Sequence, residues 1–122
     1  MQGQFVWYEL TTPDPEGAKR FYPALTNWGT QPFDKDYTMW TQGGEPFAGI
    51  FRLTPEMRQK GIPPNWMPYM ESNNIDETAR LATANGGRVI VPPADIPNVG
   101  RYAVLADPQG ATFGVIKNAP QP

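Results

Sequence analysis

The sequence repeats itself once, and this internal repeat limits the fold more than any other feature. Two strands and the turn between them recur at an offset of 65 residues, and further upstream the offset falls to about 58 to 61. A long period that occurs only twice predicts a pseudo-twofold domain rather than a solenoid. The recurring positions are Tyr37, Met39, Trp40, Gly49, Ile50 and Phe51 in the first half and Tyr102, Val104, Leu105, Gly114, Val115 and Ile116 in the second.

The first half predicts a strand, a helix and three further strands. Alternation in FVWYELT places Trp7 and Glu9 on one face of the first strand. Asp14 is expected to cap a helix whose first position is Pro15, and Pro23 is expected to end or bend that helix early. The other predicted segments are strands near 31–33, 37–42 and 47–53, a turn at 43–44, and a linker over 54–64.

The second half predicts the same order of elements. A strand over 66–72 precedes a helix over 75–84, with Asn74 as its cap and a stop at Gly86 and Gly87. The segment PPADIPNVG predicts a loop because it is rich in proline and glycine. Each half is therefore βαβββ, in one domain over 1–122 with modules at 1–53 and 65–117. The remaining predicted strands are 88–91, 102–106 and 111–117, the last two joined by a turn at 107–110.

Composition excludes several classes of function. A length of 122 residues suits one domain, and a net charge of −2 with scattered basic residues argues against nucleic acid as a partner. The absence of a basic leader and of a long apolar segment predicts a cytoplasmic protein without membrane attachment. The chain has no cysteine and no histidine, which excludes disulfides, thiolate nucleophiles and a Ser-His-Asp triad.

Three stretches resemble the glyoxalase, bleomycin-resistance and dioxygenase group, the vicinal oxygen chelate superfamily. They are WYELTTPDPEGAKRFY, PYMESNNIDETARLATANGG and GRYAVLADPQGATFGVI, and the resemblance extends over nearly the whole chain. The resemblance implies an α+β fold in which two βαβββ modules with pseudo-twofold symmetry form an eight-stranded open cup, with the helices outside. It also implies a small molecule or a metal on the concave floor, and commonly a homodimer.

The resemblance places the metal-ligand positions of the family at Trp7, Gly49, Met67 and Gly114 of this sequence. Tryptophan offers only a donor, glycine has no side chain, and a thioether suits soft metals. Carboxylates remain at Glu9 and Glu71, but two such groups without imidazole support would hold calcium or magnesium only weakly. We therefore expect no metal and no other cofactor.

Without chelating side chains, the floor of the expected cup becomes an apolar pocket with a carboxylate beside it, which suits a flat, partly cationic molecule. The two glycines are expected to leave space there. Arg101 is the alternative partner of Glu9, in which case Glu9 would be structural. The predicted ligand-binding residues are Trp7, Glu9, Trp40, Phe47, Gly49, Phe51, Met67, Tyr69, Glu71, Arg101 and Gly114.

These residues leave three functions open. The first is metal-independent binding of a small, largely apolar or aromatic molecule, including sequestration of an antibiotic as in metal-free relatives. The second is a lyase, isomerase or dioxygenase relative that uses Glu9 as a general base or an unconventional metal. The third is a structural or regulatory domain whose cup is filled by its own side chains.

Overall fold

The computed structural model describes residues 2–34, 37–97 and 99–119, and these residues follow the predicted order of strands and helices. The α+β class and the βαβββ order of both halves are confirmed. The elements are β1 (Phe5–Thr12), α1 (Pro15–Leu25), β2 (Gly29–Asp34), β3 (Tyr37–Gln42), β4 (Glu45–Arg52), α2 (Pro55–Gln59), β5 (Asn65–Glu71), α3 (Ile75–Ala84), β6 (Arg88–Ile96), β7 (Gly100–Ala106) and β8 (Thr112–Asn118).

The chain divides into two compact units. One unit, called the first module below, is Trp7–Met67. The other, called the second module, combines the described residues of 68–122 with those of 1–6. Both boundaries fall inside a strand, since β1 begins in one unit and ends in the other, as does β5. The second module is therefore discontinuous in sequence.

In the first module, the sheet order is β2-β3-β4-β1. Strands β1 and β4 are parallel, with Glu9 opposite Gly49, and β3 lies antiparallel to β4 with Met39 opposite the same glycine. Helix α1 covers the face of this sheet opposite Glu9. Alternation along β1 turns Leu10 away from Glu9 and toward Ala18 of the helix. The buried core on this α1 side comprises Leu10, Ala18, Trp40, Ala48 and Ile50.

In the second module, the sheet order is β5-β8-β7-β6, and β5 and β8 are parallel with Tyr69 opposite Gly114. This register matches that of Glu9 and Gly49 in the first module, so the internal repeat predicted from the sequence is present in the strand pairing. Helix α3 packs through Ile75 and Ala79 on the face of the sheet that carries Val115.

The helix caps follow the predictions. The Oδ1 atom of Asp14 accepts a hydrogen bond from the Gly17 backbone N–H at 3.0 Å, and Pro15 takes the first helical position. The Oδ1 atom of Asn74 accepts from the Glu77 backbone N–H at 3.1 Å. Each cap satisfies a backbone donor that the first turn of the helix leaves without an intrahelical acceptor.

Both places where a break in the chain was expected contain helical residues. Pro23 does not end α1 early, since the helix runs on to Leu25; the proline lies in the last turn, where its missing N–H removes only one bond near the helix end. The predicted linker over 54–64 contains the short helix α2, capped by Thr54 and anchored by the buried Met57. A Thr-Pro-Glu start is a helix signal that the prolines and glycines of this segment obscured.

Strand β6 is longer than predicted. It continues to Ile96 through the first part of the predicted loop PPADIPNVG, of which Asn98 lies outside the described residues. Its pairing with β7 shifts between Val91 and Ala94, so the two prolines fall where the strand makes an irregularity rather than a regular ladder. Within the described residues, the helices are too short or too polar to cross a membrane.

Candidate functional site

Glu9 lies on the face of the first-module sheet that points away from α1. The alternation of β1 sets this orientation, because Leu10 fills the core beneath the helix and its neighbours Glu9 and Thr11 must project to the other side. Glu9 is only 5% exposed. A carboxylate buried to this extent is costly unless it receives hydrogen bonds, so its partners define the candidate site.

Side-chain hydrogen bonds connect Trp7, Tyr37 and Glu9. The Trp7 indole Nε1–H donates to the Tyr37 hydroxyl oxygen at 3.2 Å, and the Tyr37 hydroxyl donates to Glu9 Oε2 at 2.8 Å. Trp7 and Glu9 share a face of β1, and Tyr37 reaches them from the first position of β3. These three side chains, called the Trp7–Tyr37–Glu9 chain below, are the polar centre of the first module.

The phenol of Tyr37 is held in its protonated form. Burial raises the pKa of Tyr37 far above its ordinary value, and the negative charge of Glu9 raises it further. The hydrogen bond from Trp7 lowers the pKa but does not outweigh these causes together with the hydrogen bond to Glu9. Tyr37 is thus a hydrogen-bond donor to the carboxylate at neutral pH, and not a nucleophile or a base.

The space expected above the two glycines is not open. A Cβ atom at Gly49 would overlap the Tyr37 hydroxyl, and a Cβ atom at Gly114 would overlap the ring of Tyr69. The prediction that these glycines leave room for a ligand is therefore wrong for this conformation. In both modules a tyrosine takes the room, but Tyr37 comes from β3 whereas Tyr69 comes from β5.

Trp40 and Phe47 were predicted to line the site with Glu9, and the structure contradicts this. Trp40 is 0% exposed and packs in the α1-side core, because it alternates with Met39, which lies beside Gly49. The β3–β4 register shifts next to Trp40, and Phe47 packs against the same core with its ring centroid 4.9 Å from that of Trp28.

The other predicted site residues are spread over the two modules. Phe51 is half-buried and pairs with Thr11 on β1, and Met67 is buried at the end of the first module. Tyr69 is buried over Gly114 in the second module. Glu71 is half-buried, and its backbone N–H and C=O bond to Gln4 and Gly3.

Arg101 has partners other than Glu9. Its Nε and Nη2 atoms donate to the two carboxylate oxygens of Asp76, both at 2.9 Å, and Nη1 donates to Asp95 at 3.0 Å. This fork joins the first turn of α3 to strand β6. In the first module, Glu9 accepts a hydrogen bond from Tyr37.

The residues at the family's metal-ligand positions do not fit a divalent ion. Trp7 uses its single polar atom as a donor to Tyr37, and tyrosine side chains cover Gly49 and Gly114. In the part of the chain that the structure describes, no three carboxylates come together in a group that could hold a metal. No hard or borderline cation finds a ligand set here.

Tyr37 is the residue that the sequence interpretation missed. The sequence did contain a signal, since alternation along β3 places Tyr37 and Met39 on the side of Gly49, and a glycine opposite a bulky residue often accommodates it. Pairing between β3 and β4 was predicted from their turn, but the reach of the phenol back to Glu9 depends on the rotamer and could not be read from spacing.

Comparison with known proteins identifies the family. The family model described as "Glyoxalase-like domain" matches residues 7–116. "Putative glyoxylase CFP32" of Mycobacterium bovis is 41% identical over 123 residues, covering 98% of this chain and 46% of that protein. "Anthracycline biosynthesis protein DauV" of a Streptomyces species is 33% identical over 127 residues, covering 93% of this chain and 46% of that protein. The chain thus spans about half the length of these curated relatives.

Solved structures agree with this assignment at the level of the fold. Streptomyces coelicolor methylmalonyl-CoA epimerase has a TM-score of 0.61 and 16% identity, with 98% of this chain and 100% of that chain covered. A hypothetical protein of Bacillus halodurans has a TM-score of 0.63 and 11% identity, with 100% and 99% covered. Together with the paired βαβββ modules, these matches show that the chain belongs to the glyoxalase-like domain family of the vicinal oxygen chelate superfamily.

Proposed function

We propose that this chain binds a small, largely apolar or aromatic molecule without a metal ion, and that Glu9 orients the polar group of that molecule. The observation that carries the proposal is the Trp7–Tyr37–Glu9 chain, in which a buried carboxylate is held by a protonated phenol. Trp7 is half-buried and offers a flat apolar surface next to this charge. A donor on the ligand finds a fixed acceptor there, which is the usual basis of orientation in an apolar site.

A ligand at Glu9 has to displace the side chain of Tyr37. An amine or hydroxyl that approaches Glu9 competes with the Tyr37 hydroxyl for the carboxylate, and the ring occupies the room over Gly49. Binding in our proposal therefore replaces the bond between Tyr37 and Glu9 by a bond from the ligand. The Trp7 indole donates to the same hydroxyl, so its fluorescence should change when the ligand binds.

The curated relatives favour an aromatic ligand. Two relatives at 33% and 32% identity carry names in anthracycline biosynthesis. Anthracyclines are flat, fused-ring molecules, which match an indole surface better than a flexible chain would. Sequestration of an antibiotic, as in metal-free members of the superfamily, is the special case in which such a molecule is held and not changed.

A fluorescence titration tests the proposal. The probes are a panel of planar aromatic amines and one anthracycline, added to the wild-type chain and to Trp7→Phe, Glu9→Gln and Tyr37→Phe. We expect saturable quenching that Trp7→Phe removes and that Glu9→Gln weakens about tenfold, since it loses a charged hydrogen bond. Tyr37→Phe is expected to bind more tightly, because no bond to Glu9 has to be broken.

Tyr8→Phe is the matched control, since Tyr8 lies on the same strand with its side chain on the opposite face, where it is 47% exposed. It should leave the quenching unchanged. Saturable quenching that persists in both Trp7→Phe and Glu9→Gln would place the ligand elsewhere. For sequestration, cells that produce the wild-type chain should tolerate more of the antibiotic than cells that produce Glu9→Gln.

An enzyme of the same fold is the second candidate, and the name of the mycobacterial relative at 41% identity favours it. Glu9 would be the general base and the protonated Tyr37 a neighbouring donor, which together suit proton abstraction next to a carbonyl. Deuterium incorporation from solvent into a panel of carbonyl compounds, present in the wild type and absent in Glu9→Gln, would support it. Stoichiometric zinc, nickel, iron or manganese in the purified protein would instead indicate an unconventional metal site.

A structural or regulatory domain is the third candidate, favoured by the tyrosines that cover Gly49 and Gly114. In that case the wild-type chain binds none of the probes. Tyr37→Ala, which removes the ring above Gly49, should then create a binding site where none existed. Binding by the wild type with equal or higher affinity would argue against this candidate.

A further inference from the structure

A groove of about 370 Å³ lies on the α1 side of the first module, the face of the sheet opposite Glu9. We call it the α1 groove; all of its lining residues belong to Trp7–Met67. Leu10 and Ala18, both buried, line it, together with Gly17, which has no side chain. The small residues Gly17 and Ala18 leave a trough between the helix and the start of β5. Its volume falls within the range of small-molecule sites, about 300 to 1,000 Å³.

Aromatic rings line the α1 groove, and contacts with other aromatic residues hold them in place. The ring of Tyr22 lies 5.1 Å from that of Phe21 and 5.4 Å from that of Trp66, in edge contacts. The Trp66 indole Nε1–H also donates to the Tyr22 hydroxyl at 3.0 Å. Behind them, Tyr22 contacts Trp28 and the buried Trp40. The walls are thus ordered before a ligand arrives, which lowers the entropic cost of binding.

The two outer rings remain in solvent despite this order. Phe21 is 58% exposed and Trp66 is 39% exposed. Aromatic side chains that converge on one concave surface mark an interaction site more often than single exposed ones do. A flat apolar group that enters the groove would cover both rings and stack or pack edge-on against them.

The charge in the α1 groove has one sign. Among the described residues that line it, Asp14 is the only charged one, and its carboxylate is exposed. One oxygen of that carboxylate caps Gly17, which fixes the side chain without neutralising it. A cation therefore complements the groove, whereas an anion or a neutral acceptor does not.

We propose that the α1 groove binds a planar aromatic cation, with its ring system between Phe21 and Trp66 and its ammonium group at Asp14. This site is separate from the Glu9 site and lies on the other face of the same sheet. The ligand class follows from two apolar rings, a floor of aliphatic side chains and a single carboxylate.

Nuclear magnetic resonance of the whole chain tests this proposal, because each of the four tryptophans gives its own indole N–H signal. The probes are 1-naphthylmethylammonium and its neutral analogue 1-naphthylmethanol, with the signals assigned by single Trp→Phe variants. We expect the ammonium to shift the Trp66 signal saturably, with a dissociation constant of about 1 mM or lower. The alcohol should bind about two- to fivefold more weakly, as expected for the loss of an exposed ion pair.

Two variants probe the two halves of the site without disturbing the fold. Asp14→Asn keeps the helix cap, since asparagine caps as well as aspartate, but should abolish the preference for the ammonium over the alcohol. Phe21→Ala should weaken both probes about fivefold or more. Phe33→Ala, another exposed phenylalanine of the same module, is the control and should change neither affinity.

Three results would overturn the proposal. One is a wild-type chain whose Trp66 signal does not saturate with either probe. Another is an Asp14→Asn variant that keeps the preference for the ammonium. The third is a sedimentation experiment in which Phe21→Ala dissociates a dimer, because the groove would then be an interface between copies of the chain. A shift of the Trp7 signal alone would support the Glu9 site and reject the α1 groove.

Discussion

The hydroxyl of Tyr37 lies where the first side-chain atom of any residue other than glycine at position 49 would have to be. Gly49 is therefore required by a neighbouring side chain and not by its own backbone angles, since it is not among the glycines with positive φ. The same hydroxyl holds Glu9, so the glycine, the phenol and the carboxylate form one packed unit. Changes at any of the three should affect the others.

Gly49→Ala should destabilise the chain by about 1 to 3 kcal/mol, because the added methyl group displaces the Tyr37 phenol. Urea denaturation measures the change. In the double variant with Tyr37→Phe, the loss should be smaller than the sum of the two single losses. Gly29→Ala is the comparison variant, since its new Cβ would meet the Thr41 Oγ1 atom at 3.0 Å and would not overlap an aromatic ring. Additive losses at positions 49 and 37 would contradict the packing described here.

The stability of the chain should fall at alkaline pH because of Tyr37. Its pKa is raised in the folded state, so above pH of about 10 the unfolded chain loses a proton that the folded chain keeps. The contribution of this group is complete below that pH and is lost as the pH rises, by up to about 1.4 kcal/mol per pH unit. Tyr37→Phe should flatten the stability curve in this window. Equal slopes for the wild-type chain and Tyr37→Phe would show that Tyr37 is not the group responsible.

Asp76 should titrate below the ordinary range for an aspartate, because hydrogen bonds from Arg101 lower the pKa of its carboxyl group. Any stability from this pair is present above the ordinary pKa and is lost as the pH falls through the folded value. Carbon-detected NMR of the carboxyl signal measures the midpoint. Arg101→Gln should raise it, and Arg80→Gln, whose partner is Glu77, should leave it unchanged. An unchanged midpoint in Arg101→Gln would reject the pairing.

Substitution by phenylalanine should lower stability at both Trp40 and Trp7 but should affect the ligand signal only at Trp7. Trp40→Phe leaves a cavity in the α1-side core and should cost about 1 to 3 kcal/mol of unfolding free energy, with ligand affinity at Glu9 retained. Trp7→Phe removes one hydrogen bond and should cost about 0.5 to 1.5 kcal/mol, while the quenching by ligand disappears. Loss of ligand binding in a folded Trp40→Phe variant would indicate that Trp40 belongs to the ligand-binding site.

Much of the fold was predictable because its signals are local. Alternation in β1, the caps at Asp14 and Asn74 and the double glycine before β4 each act within a few residues of chain. The internal repeat predicted the correspondence between the two halves, since it relates Gly49 to Gly114 from the sequence alone. The homodimer, the cytoplasmic location and the absence of a cofactor stay predictions.

The candidate site was predictable only in part. Glu9 follows from parity along one strand, but its partner depends on which side chain crosses from β3, and a rotamer decides that. Phe47 was assigned to the wrong face because a single register shift reverses the alternation that sequence analysis assumes. The bonds of Arg101 to Asp76 and Asp95 could not be predicted from spacing either, because they join a helix to a strand of the second module.

Glu71 draws its backbone partners from the beginning of the chain, where Gly3 donates to its carbonyl oxygen and Gln4 accepts from its N–H. A cut anywhere between β4 and β5 would therefore not yield two self-sufficient halves. The C-terminal fragment would lose the residues that complete its outermost ladder and would expose a sheet edge prone to association. Mixing the two fragments should restore the missing strand residues. A split version of this chain should therefore fold only when both fragments are present.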